Sequence, residues 1–185
     1  MGNMPSSHRN KVYIATSLDG YIAEPDGGIG FLEAFPDPAD EDMGFHSFMS
    51  EVDAILMGRK TYETVIGFGV EWPYPIPVFV WSSTLKSPKP GLEEKVRMVE
   101  GDVCSVLSQI HGLGHSSLYI DGGRTIQSLL KEDLIDEMTL STIPILIGSG
   151  IPLFGALEGR PKFVCTDCRR FSNGIVQSRF ERMRH

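Results

Sequence analysis

Short apolar, β-branched runs alternate along this chain with segments whose apolar residues recur every three to four positions. Val12-Tyr13-Ile14-Ala15 predicts a first strand, stopped by Ser17-Leu18-Asp19-Gly20, whose Asp-Gly pair favours a turn. Ala54 to Met57, Val78 to Trp81, Val96 to Val99, Leu118 to Ile120 and Glu137 to Ile143 predict five more strands. Between them Lys60 to Ile66, Val103 to Ile110 and Thr125 to Leu130 follow the helical period. Ala39 to Ser50 carries Met43, Phe45, Phe48 and Met49 toward one side and predicts another helix, which Gly44 weakens. The sequence closes as a hairpin, Phe163 to Phe171 and Ile175 to Phe180, turning at Asn173-Gly174.

Strands that alternate with helices require a mostly parallel sheet covered on both faces. The expectation is therefore an α/β, three-layer fold with eight strands and the C-terminal hairpin as an antiparallel edge. Residues 1–10 are expected to form a disordered tail and residues 11–185 a single domain. Two connections stand out: a proline-dense bridge from Trp72 to Pro77, and a long loop from Glu24 to Pro38 over one sheet edge. Loops of that length are usually functional.

Composition narrows the partners. The 185 residues are 41% hydrophobic and 22% charged, as in ordinary globular domains. A net charge of -7 excludes a broad nucleic-acid surface, which needs clustered excess Lys and Arg, so any anion must be bound locally. No run approaches the roughly 18 to 20 apolar residues of a membrane span and no leader precedes the first strand, which points to a cytoplasmic protein. Cys165-Thr166-Asp167-Cys168 has a metal-like spacing, but on a regular strand residues three apart face opposite ways. Structural thiols and no metal are expected.

The candidate chemistry lies where strands end. Ile55 to Met57 runs into Gly58-Arg59-Lys60-Thr61, and Leu118 to Ile120 runs into Asp121-Gly122-Gly123-Arg124-Thr125. Each places the first N–H groups of a helix beside basic and hydroxyl side chains, which is a seat for a phosphate. Ligands of open α/β sheets sit at the carboxyl ends of the strands. Ala15, Gly58 to Thr61, Ser82-Ser83 and Asp121 to Thr125 all fall on that rim. Gly122 and Gly123 present backbone with no Cβ to a pyrophosphate. Arg59, Ser82 and Ser83 could grip a further phosphate on a ribose, which favours NADPH over NADH.

These residues resemble the dihydrofolate reductase superfamily, and within it the branch containing the reductase domain of bacterial riboflavin biosynthesis. The likeness rests on Ala15 to Ala23, Met57 to Glu63, Trp81-Ser82-Ser83, Tyr119 to Thr125, and Pro144 to Gly150 with Leu153-Phe154. It implies the dihydrofolate reductase-like fold, bound NADPH, a small-molecule substrate and a homodimer. By that likeness Ala15 meets the nicotinamide end through its backbone, and Gly58, Arg59 and Thr61 hold the adenosine phosphates. Ser82 or Ser83 takes the ribose phosphate, while Gly122, Gly123, Arg124, Thr125 and Ile126 wrap the pyrophosphate. Asp121 stands where the riboflavin branch carries a substrate-facing acid, and Asp42 falls near the place of the folate reductase carboxylate. A plain hydrogen-bonded strand end remains open for Asp121.

The implied reaction is reduction of a phosphoribosylaminopyrimidine to its ribityl product. A dihydrofolate-type or other small-molecule reductase, and a non-catalytic NADPH-binding regulatory protein, are the alternatives. One departure bears on the choice. The segment from Glu24 to Asp42 is acidic and contains no Lys or Arg, whereas the riboflavin-branch substrate carries a phosphate.

Overall fold

The computed structural model describes residues 8–35 and 42–184. Its main sheet contains β1 (Arg9–Ser17), β3 (Ala54–Gly58), β4 (Val78–Trp81), β5 (Val96–Val99), β6 (Ser117–Asp121), β7 (Glu137–Ile143), β9 (Phe163–Arg170) and β10 (Val176–Arg182). These eight strands lie in the order β5-β4-β3-β6-β1-β7-β10-β9. The first six are parallel, and β10 and β9 extend them antiparallel. The sheet is the one its pattern predicts. Ala54 to Met57 of central β3 are completely buried, which is why that strand is apolar at every position.

Helices cover both faces. Phe48 of α1 (Phe45–Ser50) and Tyr62 of α2 (Arg59–Gly67) pack on one face with Ile55, Met57 and Tyr119. Val106 and Ile110 of α3 (Val103–Gly112) join Ile126 and Leu129 of α4 (Gly123–Lys131) on the other face, over Leu56, Leu118 and Ile120. The chain runs outward from β3 to β4 and β5, then returns to β6 on the far side of β3. That reversal between β3 and β6 brings the starts of α2 and α4 to one crevice from opposite faces. None of the helices described is long and apolar enough to cross a membrane.

Several expectations change. Arg9 and Asn10 are strand residues paired with Ser117 and Leu118, so no tail extends through residue 10, and residues 1–7 lie outside those described. The helix expected over Ala39 to Ser50 begins only at Phe45, because Gly44 takes a left-handed φ of 84°. Residues 36–41, which include part of the expected loop and helix, also lie outside those described. A small second sheet pairs β2 (Tyr21–Ala23) with β8 (Ile151–Pro152), segments too short to signal themselves.

The cysteine geometry changes too. A bulge in β9 pairs Phe180 with Cys165 and Arg179 with Asp167, skipping Thr166. Cys165 and Cys168 therefore share a face, and both are exposed free thiols, as is Cys104.

Candidate cofactor and substrate site

The two helix starts interlock. Gly122 caps α4 with φ 89°, and a Cβ on it would overlap Thr61 Oγ1 of α2. In return, a Cβ on Gly58, the cap of α2, would lie 3.1 Å from Thr125 Oγ1 of α4. The glycines thus serve a different purpose from the one expected. The space beside Gly122 is taken by Thr61, and that beside buried Gly123 by Ile22 of β2, so the bare backbone lets protein elements close on each other. What remains for a ligand is the helix starts themselves. Neither cap residue has a side chain to satisfy the first-turn N–H groups, whereas α3 is capped by Asp102, which accepts from Ser105 N at 2.9 Å.

Ile126 does not belong to this donor set. Its N–H donates to Gly122 O at 3.0 Å within the helix, and its side chain is fully buried in the core. The donors that converge are the first-turn N–H groups of α2 and α4 with the Thr61 and Thr125 hydroxyls, and Lys60 and Arg124 are exposed at the same starts. This donor set fits the paired phosphates of a dinucleotide.

Beside it, Arg59 Nη1 donates to Thr84 Oγ1 at 2.9 Å, and its Nε lies 3.3 Å from Glu63. Ser82 is buried and its hydroxyl accepts from Thr84 N at 3.2 Å and Leu85 N at 2.9 Å, so it shapes the turn after β4. Ser83 is exposed. Thr84 is thus the hydroxyl that the Arg59 guanidinium reaches, a residue the sequence places third in Ser82-Ser83-Thr84 but does not single out.

Between β1 and β6 the sheet opens. β1 pairs with β6 only from Arg9 to Lys11, while it stays paired with β7 as far as Ser17. Arg9 N donates to Ser116 O, and Tyr13 O accepts from Tyr119 Oη, so odd residues of β1 turn their polar groups toward β6. Ala15 continues that alternation past the last pair, directing its N–H and C=O into the gap. A carboxamide has the matching donor and acceptor.

Asp121 ends β6 on the far side of this gap. Its Oδ1 accepts from Gly122 N at 2.8 Å, and burial pushes its carboxyl up to about 6 despite that bond. The bond from Gly122 N is the local side-chain to backbone bond of a hydrogen-bonded strand end, so that reading of Asp121 stands beside the substrate-facing one. Burial, and after it the Asp121 charge, raises the Tyr74 hydroxyl, and the buried Tyr119 hydroxyl is raised in the same way. Tyr74 was not foreseen, although an aromatic residue between Pro73 and Pro75 is a conspicuous thing to hold rigid.

Asp42 is used elsewhere. Its carboxylate accepts from Gly44 N at 2.9 Å and from His46 N at 2.7 Å, organising the start of α1 in an exposed position. Those backbone bonds lower its pKa, the opposite of what a proton donor requires. Asp19 is also structural: it accepts from Ser17 Oγ at 2.6 Å and Gly148 N at 2.8 Å, pinning the Ser-Leu-Asp-Gly turn to the Ile-Gly-Ser-Gly loop.

Comparison with known proteins gives a consistent picture. Residues 11–177 match the RibD C-terminal domain family. A crystal structure of a riboflavin biosynthesis protein from Shewanella sp. PV-4, so assigned provisionally, is 44% identical with a TM-score of 0.91, covering 95% of this chain and 99% of that one. The uncharacterized protein YwjB of Bacillus subtilis is 32% identical over 166 residues, 89% of this chain and 92% of its own length. The Thermotoga maritima diaminohydroxyphosphoribosylaminopyrimidine deaminase/5-amino-6-(5-phosphoribosylamino)uracil reductase shares the fold at 18% identity and TM-score 0.68. That match covers 95% of this chain and 57% of the Thermotoga protein.

Proposed function

The chain belongs to the RibD C-terminal domain family of riboflavin-biosynthesis reductases, and from that premise we propose that it is an NADPH-dependent reductase of a small nitrogen heterocycle. The observation that carries the reading is a carboxyl with a pKa near 6, Asp121, on the same rim as two interlocked helix starts. NADPH, when bound, supplies the hydride. The first turns of α2 and α4 with Thr61 and Thr125 bind the paired phosphates. Arg59, Thr84 and Ser83 hold the ribose phosphate, and the Ala15 peptide orients the carboxamide.

Asp121 holds the proton. Its Oδ1 is engaged by Gly122 N–H, so Oδ2 delivers the proton to the nitrogen next to the carbon that is reduced. The C=N bond becomes CH–NH, and the carboxylate left behind regains a proton from water. Phe31, Phe35 and Met43, in the apolar cluster against which Ala15 also packs, form the wall that excludes water from this step. In a riboflavin-type substrate the reduced carbon is the ribosylamino carbon in its imine form. In a pterin-type substrate it belongs to a ring C=N bond.

The reading includes a cytoplasmic location and a homodimer, and light scattering checks the dimer directly. The central test is titration with NADPH and NADH, followed by mixing with the diaminopyrimidine ribosylamino phosphate, with dihydrofolate, and with no substrate. Preferential NADPH binding and a substrate-dependent loss of reduced-nicotinamide absorbance are expected. Tight NADPH binding with no turnover of any heterocycle would favour the regulatory alternative, and absence of NADPH binding would end the cofactor reading.

A further inference from the structure

Resting on the reductase reading, one backbone outlier points to a residue that sets the geometry of the substrate side. Met43 has φ 52°, in the left-handed region, and Gly44 follows it at 84°. The other described non-glycine residue there is Asp133, whose short polar side chain tolerates the conformation. Methionine has no such local compensation, so its surroundings must impose it, and residues held in this way gather at functional sites. The Met43 side chain is 8% exposed and packs with Phe31, Ile143, Phe171 and Ile175, the apolar cluster that Ala15 joins.

Tyr13 holds it from the sheet. Its hydroxyl donates to Met43 O at 2.8 Å, across 30 positions of the chain. With that proton committed, the Tyr13 oxygen accepts from Gln177 Nε2 at 3.1 Å, and the same amide nitrogen donates to Ser141 Oγ at 3.0 Å. Gln177 pairs with Ser141 across β10 and β7, and Ser141 pairs with Ala15 of β1. The relay thus starts on the row of the sheet that carries Ala15 and ends in the cluster that packs against it. Tyr13 is fixed from its other sides as well: its carbonyl accepts from Tyr119 Oη at 3.0 Å, and its ring lies 5.4 Å from Phe45 and 5.0 Å from Phe48 of α1.

We propose that Tyr13 is a positioning residue of the reductase: through the Met43 carbonyl it holds the apolar wall at a fixed offset from Ala15, and so keeps the hydride acceptor against the nicotinamide. Gln177 acts through Tyr13, by fixing the direction in which the hydroxyl points. Deleting the hydroxyl leaves the ring and its contacts with Phe45 and Phe48 in place, while Met43 loses a donor and its left-handed turn is free to relax. A displacement of about 1 Å at a reacting centre costs about a hundredfold in rate, so even a partial retreat of the wall is read in turnover rather than in cofactor binding.

The test compares wild type, Tyr13→Phe, Gln177→Ala and the double variant, each saturated with NADPH and mixed with the diaminopyrimidine ribosylamino phosphate and with dihydrofolate. On the compound that the wild type reduces, Tyr13→Phe should lower kcat about tenfold or more, with KM and NADPH affinity within about threefold. Gln177→Ala should lower kcat about threefold, and the double variant should be no slower than Tyr13→Phe, because the two residues act in series. Hydrogen exchange in the segment spanning Met43 and Gly44 should quicken in Tyr13→Phe. Unchanged kcat in either single variant, losses that multiply in the double variant, or a loss confined to NADPH affinity and the unfolding midpoint, as a merely structural role gives, overturns the proposal. A wild type that reduces neither compound removes the reductase reading and this inference with it, whereas turnover that Tyr13→Phe leaves untouched removes this inference alone.

Discussion

Thr61 Oγ1 occupies the space that a side chain on Gly122 would need, and Thr125 Oγ1 stands in nearly the same relation to Gly58. Each glycine caps one helix and each threonine lies in the first turn of the other. The pair of contacts fixes the separation of two helix N-termini that reach the crevice from opposite sheet faces. A ligand with two linked phosphates needs that separation held constant, and the reciprocal contact holds it.

Gly122→Ala should therefore be costly in two separable ways. The left-handed φ of 89° strains any side chain, and the new methyl collides with Thr61, for a combined loss of about 2 to 4 kcal/mol. Thr61→Ala removes the collision but not the strain, so the double variant should recover part of the loss. Urea unfolding of the four proteins measures the coupling. Gly58→Ala has an ordinary φ of −79° and a contact of 3.1 Å, and should cost under about 1 kcal/mol.

The sequence makes the strand ends readable because local signals mark them: the apolar run of β3 stops at Gly58, and Asp121-Gly122-Gly123 follows β6. What fills the space beside a glycine is decided by a residue far away in the chain, so the Thr61 and Ile22 contacts carry no local signal. The same is true of Thr84, whose link to Arg59 spans 25 positions, and of the β9 bulge, which shows only against β10. The start of α1 was obscured for another reason. Met43 keeps the helical period of Phe45, Phe48 and Met49, yet it has φ 52° and packs with Phe31 as part of the loop wall.

Asp121 should burden the folded protein at the pH where it works. Its folded pKa of about 6 exceeds the ordinary 3.8, so the folded state binds the proton more tightly than the unfolded state. Stability then falls as pH rises through that window, with the full penalty above about pH 6 and none below about pH 4. Asp121→Asn should stabilise the unliganded protein by about 1 to 3 kcal/mol at pH 8 and lose that advantage below about pH 4. Denaturant unfolding at several pH values checks this. In the wild type, kcat/KM should decline above about pH 6 as the proton is lost, and the variant should lose about a hundredfold or more in turnover.

Cofactor choice should separate Arg59 from Ser82. Arg59 is exposed, so Arg59→Ala should leave the unfolding midpoint nearly unchanged while weakening NADPH about tenfold or more and NADH little. Thr84→Val removes the hydroxyl partner and should show a smaller loss with the same selectivity. Ser82→Ala deletes the acceptor of two backbone N–H groups, so it should lower stability by about 1 kcal/mol and affect both cofactors alike. Fluorescence titration with the two nicotinamides, beside thermal unfolding, distinguishes the three patterns.

A last prediction concerns the opposite end of the strands, where Lys11 lies 2.6 Å from Glu51 and Arg179 lies 3.2 Å from Glu51 and 2.9 Å from Glu137. Glu137 is 2% exposed, and its removal would leave two cations sharing one carboxylate in a poorly solvated place. Glu137→Gln should cost about 3 kcal/mol, since breaking a buried pair leaves an uncompensated charge. The hydrogen bond from Lys11 is the main cause that lowers the Glu51 pKa below its ordinary 4.5, so its contribution is present above that value and lost as pH falls through the lower folded value. Glu51→Gln should accordingly flatten the acid limb of the stability profile below about pH 4.5. Glu51 closes α1, whose Phe45 and Phe48 pack on Tyr13, so the same variant should loosen the substrate side while leaving the phosphate seats intact. Unchanged NADPH affinity together with faster hydrogen exchange in α1 is the expected result. Weakened NADPH binding would mean instead that the two ends of the sheet are mechanically coupled.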